Sequence, residues 1–387
     1  MGICVHKDFC GGCIYQGILY EEQLRIKNNL VEKLLDQRDL YPVEHLGFQP
    51  APQIYRYRNK MEYTFGDMVK GGPITLGLHQ KGHFMNVVTV DECQLVDEDF
   101  NVILDAMLTF VEKKGYKSYN KKSHQGLLRH LVLRKGERTG ELLIHLVTST
   151  QGTFDDQGFL DLLLNLTPYL KNTIIGVLHT YNDNKADAVK SDRTELLFGR
   201  DYYKEKIMGL DFQVGAFSFF QTNVWAAERL YQEALSILPE HTDKVMVDLY
   251  CGTGTISQAL ATKARKVIGV EIVEDAVISA IENAKLNGLE NCEFIHGDVM
   301  NVVSNLPDQA DVLVVDPPRN GIHPKALKQI IDLNVQEILY ISCNPNTMTE
   351  DLMVFKQAKY ELLKWKAYDN FPFTKHIEAV AYLTKTE

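Results

Sequence analysis

The amino-acid sequence predicts an α/β protein in two parts, a C-terminal domain on a parallel sheet preceded by an α+β domain. Three observations carry that expectation. The 387 residues exceed the roughly 250 to 300 over which a single hydrophobic core grows, so two domains are expected. From about Asn223, helical stretches alternate with short, nearly all-apolar runs at 245–247, 267–270, 312–315 and 338–341. Strands apolar on both faces belong to a parallel sheet covered by helices. The first 210 residues read differently: β-like runs such as 74–78 and 142–147 stand between glycine turns, with helical periodicity at 21–35 and 98–113, an α+β pattern. The junction is expected near 205–215, dividing the chain into 1–210 and 211–387.

Composition narrows the functional classes. With 45% hydrophobic and 24% charged residues the chain is ordinary globular protein, and no apolar run approaches the ~18 residues of a membrane helix. The start, Met1-Gly2-Ile3-Cys4-Val5-His6, has no apolar export signal, so a cytoplasmic protein without a membrane partner is expected. Nothing points to an obligate protein partner. Forty-one Lys and Arg against 51 Asp and Glu, a net charge of -10, argue against wholesale coating of nucleic acid, so any such contact must be local. Two places qualify. Residues 113–138 carry nine basic side chains against one acid, Glu137. Tyr55-Arg56-Tyr57-Arg58-Asn59-Lys60 interleaves rings with charge, which suits phosphate pairing and base stacking. Either run also reads as a solvated face.

The first chemical motif follows the strand ending at Asp248: Asp248-Leu249-Tyr250-Cys251-Gly252-Thr253-Gly254-Thr255, then a helix, with Glu271 ending the next strand 17 residues beyond Gly254. Glycines let backbone approach a ligand, and an acid at the end of the second strand can take both ribose hydroxyls, as in Rossmann-like folds. A nucleoside is the expected occupant. The third glycine of the dinucleotide fingerprint is missing, so S-adenosylmethionine fits better than NAD. Asp298, after Gly297, is either an adenine contact or a helix cap. Asp316 opens Asp316-Pro317-Pro318-Arg319 at the end of a fourth strand.

Tyr340-Ile341-Ser342-Cys343-Asn344-Pro345 sets a cysteine just past a strand's carboxyl end, where open α/β sheets present reacting groups. Cys251 and Cys292 read as inert buried thiols. Near the end of the chain, His376 and Glu378 share one face of an expected strand and can act as acid–base groups. A thiolate, a carboxylate and a methyl sulfonium are needed together to alkylate a pyrimidine at C5, a carbon too weakly nucleophilic until something adds at C6. Cys343 would make that addition and Glu378 would remove the C5 proton. A free thiol titrates near about 8.5, so Cys343 needs neighbours that favour its thiolate or a base that takes its proton.

Cys4, Cys10 and Cys13 follow a C-x5-C-G-G-C spacing, and Cys93 stands in Asp91-Glu92-Cys93-Gln94-Leu95. Four thiolates suit tetrahedral zinc or an iron–sulfur cluster. The long first gap leans toward iron–sulfur, and disulfides are disfavoured in a reducing compartment. Such a set would tie the N-terminal arm to the region near residue 90.

These residues together resemble the RNA uracil-5-methyltransferase family over nearly the whole chain. The likeness rests on Phe219-Phe220-Gln221-Thr222-Asn223, on Asp316-Pro317-Pro318-Arg319-Asn320-Gly321 with the Cys343 segment, and on Phe371-Pro372 with Thr374, His376 and Glu378. The resemblance implies that Gln221, Tyr250, Gly252, Glu271, Asp298 and Asp316 hold S-adenosylmethionine, that Cys343 is the nucleophile and Glu378 the base, and that Cys4, Cys10, Cys13 and Cys93 carry a [4Fe-4S] cluster. Members that act on large-subunit ribosomal RNA carry such a cluster, and bacterial members that methylate the transfer-RNA T-loop often lack it, so 23S ribosomal RNA is the expected partner and transfer RNA the alternative. The small β-barrel that opens many relatives has no room before Cys4, which raises the expectation of RNA contact at 113–138 and at Arg56, Arg58 and Lys60. The rivals are an amino-group methyltransferase, which needs neither Cys343 nor Glu378, and a non-catalytic iron–sulfur RNA-binding factor.

Overall fold

The structure, a computed structural model, describes residues 2–185, 192–239, 242–306 and 309–386. The C-terminal sheet has eight strands, in spatial order Glu44–Gln49, Tyr360–Tyr368, Glu378–Lys385, Glu337–Ser342, Val312–Val315, Val245–Leu249, Lys266–Glu271 and Cys292–His296. From Glu337–Ser342 to Cys292–His296 neighbours run parallel, as the all-apolar runs predict. Every residue of Val245–Leu249 and Val312–Val315 is buried. Alternate side chains feed two cores, Val245, Val247 and Leu249 on one face and Met246 on the other, each covered by helices.

Glu378–Lys385 inserts antiparallel between Glu337–Ser342 and Tyr360–Tyr368. The edge strand was not legible in sequence. Glu44–Gln49 pairs parallel with Tyr360–Tyr368, and Val31 and Leu35 of helix Tyr20–Gln37 lie in the same core as Leu249. Residues 20–49, numbered within the N-terminal part, thus serve the C-terminal sheet.

The second sheet has seven strands, in the order His83–Thr89, Ile74–Gln80, Lys60–Asp67, Leu128–Lys135, Glu141–Thr148, Thr173–Tyr181 and Arg193–Gly199. All its pairs are antiparallel except Glu141–Thr148 with Thr173–Tyr181, which are joined through helix Asp156–Leu166 as a parallel crossover requires. Helix Glu98–Lys114, capped by Asp97 at one end and by left-handed Gly115 at the other, buries Phe100, Ile103, Leu104, Met107 and Val111 against this sheet. A hairpin, Tyr202–Ile207 with Leu210–Gly215, occupies the expected junction. No helix among the described residues is long and apolar enough to cross a membrane.

Candidate active site

Parallel strands deliver their carboxyl ends to one edge of a sheet, and the predicted residues collect there. Gln221, Tyr250, Gly252, Glu271, Asp316, Cys343 and Glu378 all line one cavity of about 1310 Å³ between the two sheets. Asp298 is not among the lining residues; its carboxylate accepts from the Met300 amide at 2.9 Å and caps the helix that follows.

Tyr250 and Gly252 both have positive φ, 66° and 54°. Nothing stands within 4 Å of where a side chain on Gly252 would project, so backbone there is open to a ligand. The Glu271 carboxylate is oriented by two amides, Gly252 at 3.0 Å and Val273 at 2.9 Å. Beneath the loop, fully buried Asp248 accepts from the Ser257 hydroxyl at 2.5 Å. Burial pushes Asp248 up to about 7. Gln221 donates to the Tyr231 hydroxyl at 2.8 Å, and its carbonyl accepts from Asn59 at 3.1 Å.

The reacting end is set by strand register. Ser342 pairs with Ala379 across the antiparallel strands, so the next residue on one side, Cys343, meets the previous one on the other, Glu378. Burial pushes Glu378 up to about 8, with the charge of Asp316 adding and Arg319 opposing. Burial likewise lifts Asp316 to about 7, with Asp248 adding, and the Cys343 thiol to about 11, with Glu378 and Asp316 adding. Carboxyls crowded in this way favour a positively charged occupant, which suits a sulfonium.

Arg319 is the cavity residue that residue-by-residue reading missed. It lines the cavity, its charge opposes the burial that raises the Cys343 thiol, and its carbonyl is held by Asn344 at 2.8 Å and Thr347 at 3.3 Å. The Asp-Pro-Pro-Arg motif was the available signal, but nothing in it says which thiol the guanidinium reaches. His376 lines the cavity from the loop before Glu378–Lys385 rather than from the strand itself, and burial lowers it to about 4, with Arg319 adding, so it is a neutral imidazole.

The four N-terminal cysteines are unbridged and act on one another. Burial raises Cys10 to about 11 and Cys13 to about 12, and Cys93 and Cys4 add to both shifts. The arm is tied down as expected, with Gly11 donating to the His79 carbonyl at 3.0 Å and the Glu92 amide to His6 at 3.2 Å. Among the described residues, however, no group of three or more His, Cys, Asp or Glu side chains is arranged to hold a metal ion. The donor chemistry, four free thiols that act on one another, suits a cluster.

The basic stretch departs from expectation in part. Lys113, Lys114, Lys117 and Lys122 are exposed, but Arg129, Arg134 and Lys135 are buried. Arg129 donates to the Asn182 and Asn184 carbonyls at 2.7 Å each and covers the Tyr119 ring. Arg134 donates to the Ser218 carbonyl at 2.8 Å, Lys135 meets Asp97 and Glu137, and Arg138 pairs with Glu228 over Trp225. These side chains brace the protein, because strand Leu128–Lys135 is central in its sheet and buried throughout. Arg56 is committed to the Cys93 and Val96 carbonyls and Lys60 to Glu62. Of that cluster only Arg58 lines the cavity.

A family model of tRNA (Uracil-5-)-methyltransferases matches residues 187–386, more than half of the chain. The chain belongs to that family. An uncharacterized RNA methyltransferase of Caldanaerobacter subterraneus is 48% identical over 99% of this chain and 84% of its own length. Another from Leptospira interrogans is 35% identical over 99% of this chain and 98% of its own. Among solved structures, the tRNA (uracil-54, C5)-methyltransferase of Pyrococcus abyssi, in complex with S-adenosyl-L-homocysteine, is 27% identical over 97% of this chain and 86% of that one, with a TM-score of 0.79. As a member of the tRNA (uracil-5-)-methyltransferase family, the protein is an RNA methyltransferase that uses S-adenosylmethionine.

Proposed function

We propose that the protein methylates C5 of a uridine in 23S ribosomal RNA, with Cys343 as nucleophile and Glu378 as base. The observation that carries this reading is the Ser342–Ala379 register, which sets those two residues against each other in the wall of the cavity that Glu271 and Asp316 also line. Gln221, Tyr250, Gly252, Glu271 and Asp316 would hold S-adenosylmethionine, which supplies an electrophilic methyl group when bound. Cys343, whose thiol pKa is raised by burial against the opposing charge of Arg319, must give up its proton and then adds as a thiolate to C6, which makes C5 nucleophilic. Once C5 is methylated, Glu378 in its carboxylate form, which its raised pKa of about 8 leaves in the minority at neutral pH, removes the C5 proton and the electron pair left behind expels the Cys343 thiolate. The target base must leave its stack to reach Cys343, at a cost of a few kcal/mol, and a cavity this large has room for a flipped nucleotide beside a nucleoside cofactor. Residues 211–387 would form the catalytic part, with 20–49 completing its sheet, and the rest of 1–210 would carry the cysteine set.

RNA containing 5-fluorouridine tests the mechanism, because fluorine cannot be removed as a proton and the adduct persists. The wild type is expected to be trapped covalently and Cys343→Ala to lose both adduct and methyl transfer. Methyl transfer surviving in Cys343→Ala would overturn the assignment and favour amino-group methylation, whereas no transfer by the wild type to any RNA would favour a binding factor.

Cys4, Cys10, Cys13 and Cys93 would hold a [4Fe-4S] cluster. Their convergence at the foot of the arm and the resemblance to the members that act on large-subunit ribosomal RNA, which carry such a cluster, support this. Iron and acid-labile sulfide in equal amounts after anaerobic purification are expected; stoichiometric zinc would overturn the cluster. A second reading, methylation of the transfer-RNA T-loop, is favoured by the likeness to the Pyrococcus abyssi enzyme. Mass-spectrometric mapping of 5-methyluridine in ribosomal and transfer RNA from cells with and without the gene separates the two.

A further inference from the structure

The nine residues between Tyr368 and Glu378 supply Asn370, Phe371 and His376 to the cavity wall, yet residues from the start of the chain hold them in place. Three successive carbonyls in this connection each accept a hydrogen bond from the first 57 residues. That of Phe371 takes Lys27 Nζ at 3.2 Å, that of Pro372 takes the Tyr57 hydroxyl at 2.9 Å, and that of Phe373 takes the Ile14 and Tyr15 amides at 3.0 and 3.1 Å. The Phe373 amide donates to Gln23 Oε1 at 2.9 Å.

Phe373 has a φ of 65°, a left-handed conformation that a bulky residue holds only where its surroundings impose it. Both its backbone polar groups are engaged, and its ring lies 5.2 Å from that of Tyr55, in a cluster with buried Tyr57 and Leu95 and half-buried Cys13 and Cys93. Gln23 and Tyr57 are fully buried and do not line the cavity, so their hydrogen bonds to this turn act on the cavity from behind its wall.

We propose that Gln23 and Tyr57 are positioning residues for the methylation: they impose the left-handed turn at Phe373, which holds Phe371 and His376 at the cavity wall and fixes the approach to Glu378. The proposal rests on the reading of Glu378 as the base. Relaxation at Phe373 displaces groups two residues before it and three after it, whereas Cys343 follows a different strand whose register does not depend on the turn. Thiol addition and proton removal therefore become separable.

Gln23→Met keeps side-chain length and loses the acceptor for Phe373. With uridine-containing RNA its turnover is expected to fall about 10- to 100-fold, the usual effect of an ångström-scale misplacement, and covalent protein–RNA complex to accumulate on denaturing gels because elimination lags. The rate of adduct formation with 5-fluorouridine RNA, which needs no proton removal, is expected to change only a few-fold, with KM for RNA nearly unchanged. Tyr57→Phe, which removes one hydroxyl, shifts the same ratio less far and decides the matter if Gln23→Met does not fold. Equal losses in turnover and adduct formation, or no loss in either variant while circular dichroism shows both folded, would overturn the proposal. If the wild type forms no adduct at all, the fault lies in the assignment of Cys343 and Glu378, and this proposal falls with it.

Discussion

Burial carries the Glu378 carboxyl to about 8, helped by Asp316, and Asp316 to about 7, helped by Asp248. Ordinary carboxyls titrate near 4, so between roughly pH 4 and 8 the folded chain keeps protons that the unfolded chain has released. Stability from these groups is therefore present at the acid end of that window and is lost as pH rises through about 7 to 8. Glu378→Gln, which carries no charge to desolvate, is expected to gain stability relative to the wild type as pH rises from about 6 to about 9. Thermal melts of both proteins across that range check this, and parallel curves would contradict it. The place of Cys343 at the cavity was legible in sequence because it follows a strand's carboxyl end, whereas Glu378 opens its strand and reaches the same edge because that strand runs antiparallel. The action of Arg319 on the thiol was not legible, since it arises only after Asn344 and Thr347 fold the loop back onto its carbonyl. Asp298 offered two readings, and the bond from the Met300 amide favours the cap.

Helix Tyr20–Gln37 shows at the scale of an element what periodicity leaves out. Its apolar spacing marks a helix but says nothing of the fully buried pair that Lys27 makes with Asp369 at 2.6 Å. Burial lowers the Lys27 pKa and raises that of Asp369, so desolvation weighs on both partners and the pair holds only as a pair. Lys27→Met leaves Asp369 uncompensated and is expected to cost about 3–5 kcal/mol, read from denaturant unfolding. Lys27→Met with Asp369→Asn is expected to recover most of that. The parallel strands were legible because their residues are apolar on both faces. Strand Glu44–Gln49, Glu-His-Leu-Gly-Phe-Gln, carries two large apolar side chains and remains half-exposed at the sheet edge, so its pattern resembles that of a loop.

For the molecule as a whole, net charge indicated that RNA contact would be local, but a run of basic residues does not say which way each side chain points. Arg129, Arg134 and Lys135 point inward because a central strand has no solvent face, and Arg134 holds the Ser218 carbonyl three residues before Gln221. Arg134→Ala is accordingly expected to lower thermal stability and weaken S-adenosylmethionine binding, while leaving the salt dependence of RNA affinity unchanged. A slope of log affinity against log salt shallower by about one would mean that Arg134 does neutralise a phosphate.

The pairing of Glu44 with Lys364 and of Gln49 with Tyr368 bears on how the chain is made. A ribosome releases residues 44–49 long before their partner strand exists, so this hydrogen-bond ladder can close only at the end of translation. Non-local pairings of this kind fold slowly, and until they close, Tyr360–Tyr368 offers an unprotected edge to other nascent chains. A polypeptide started at residue 211 would keep that edge permanently and would be prone to self-association.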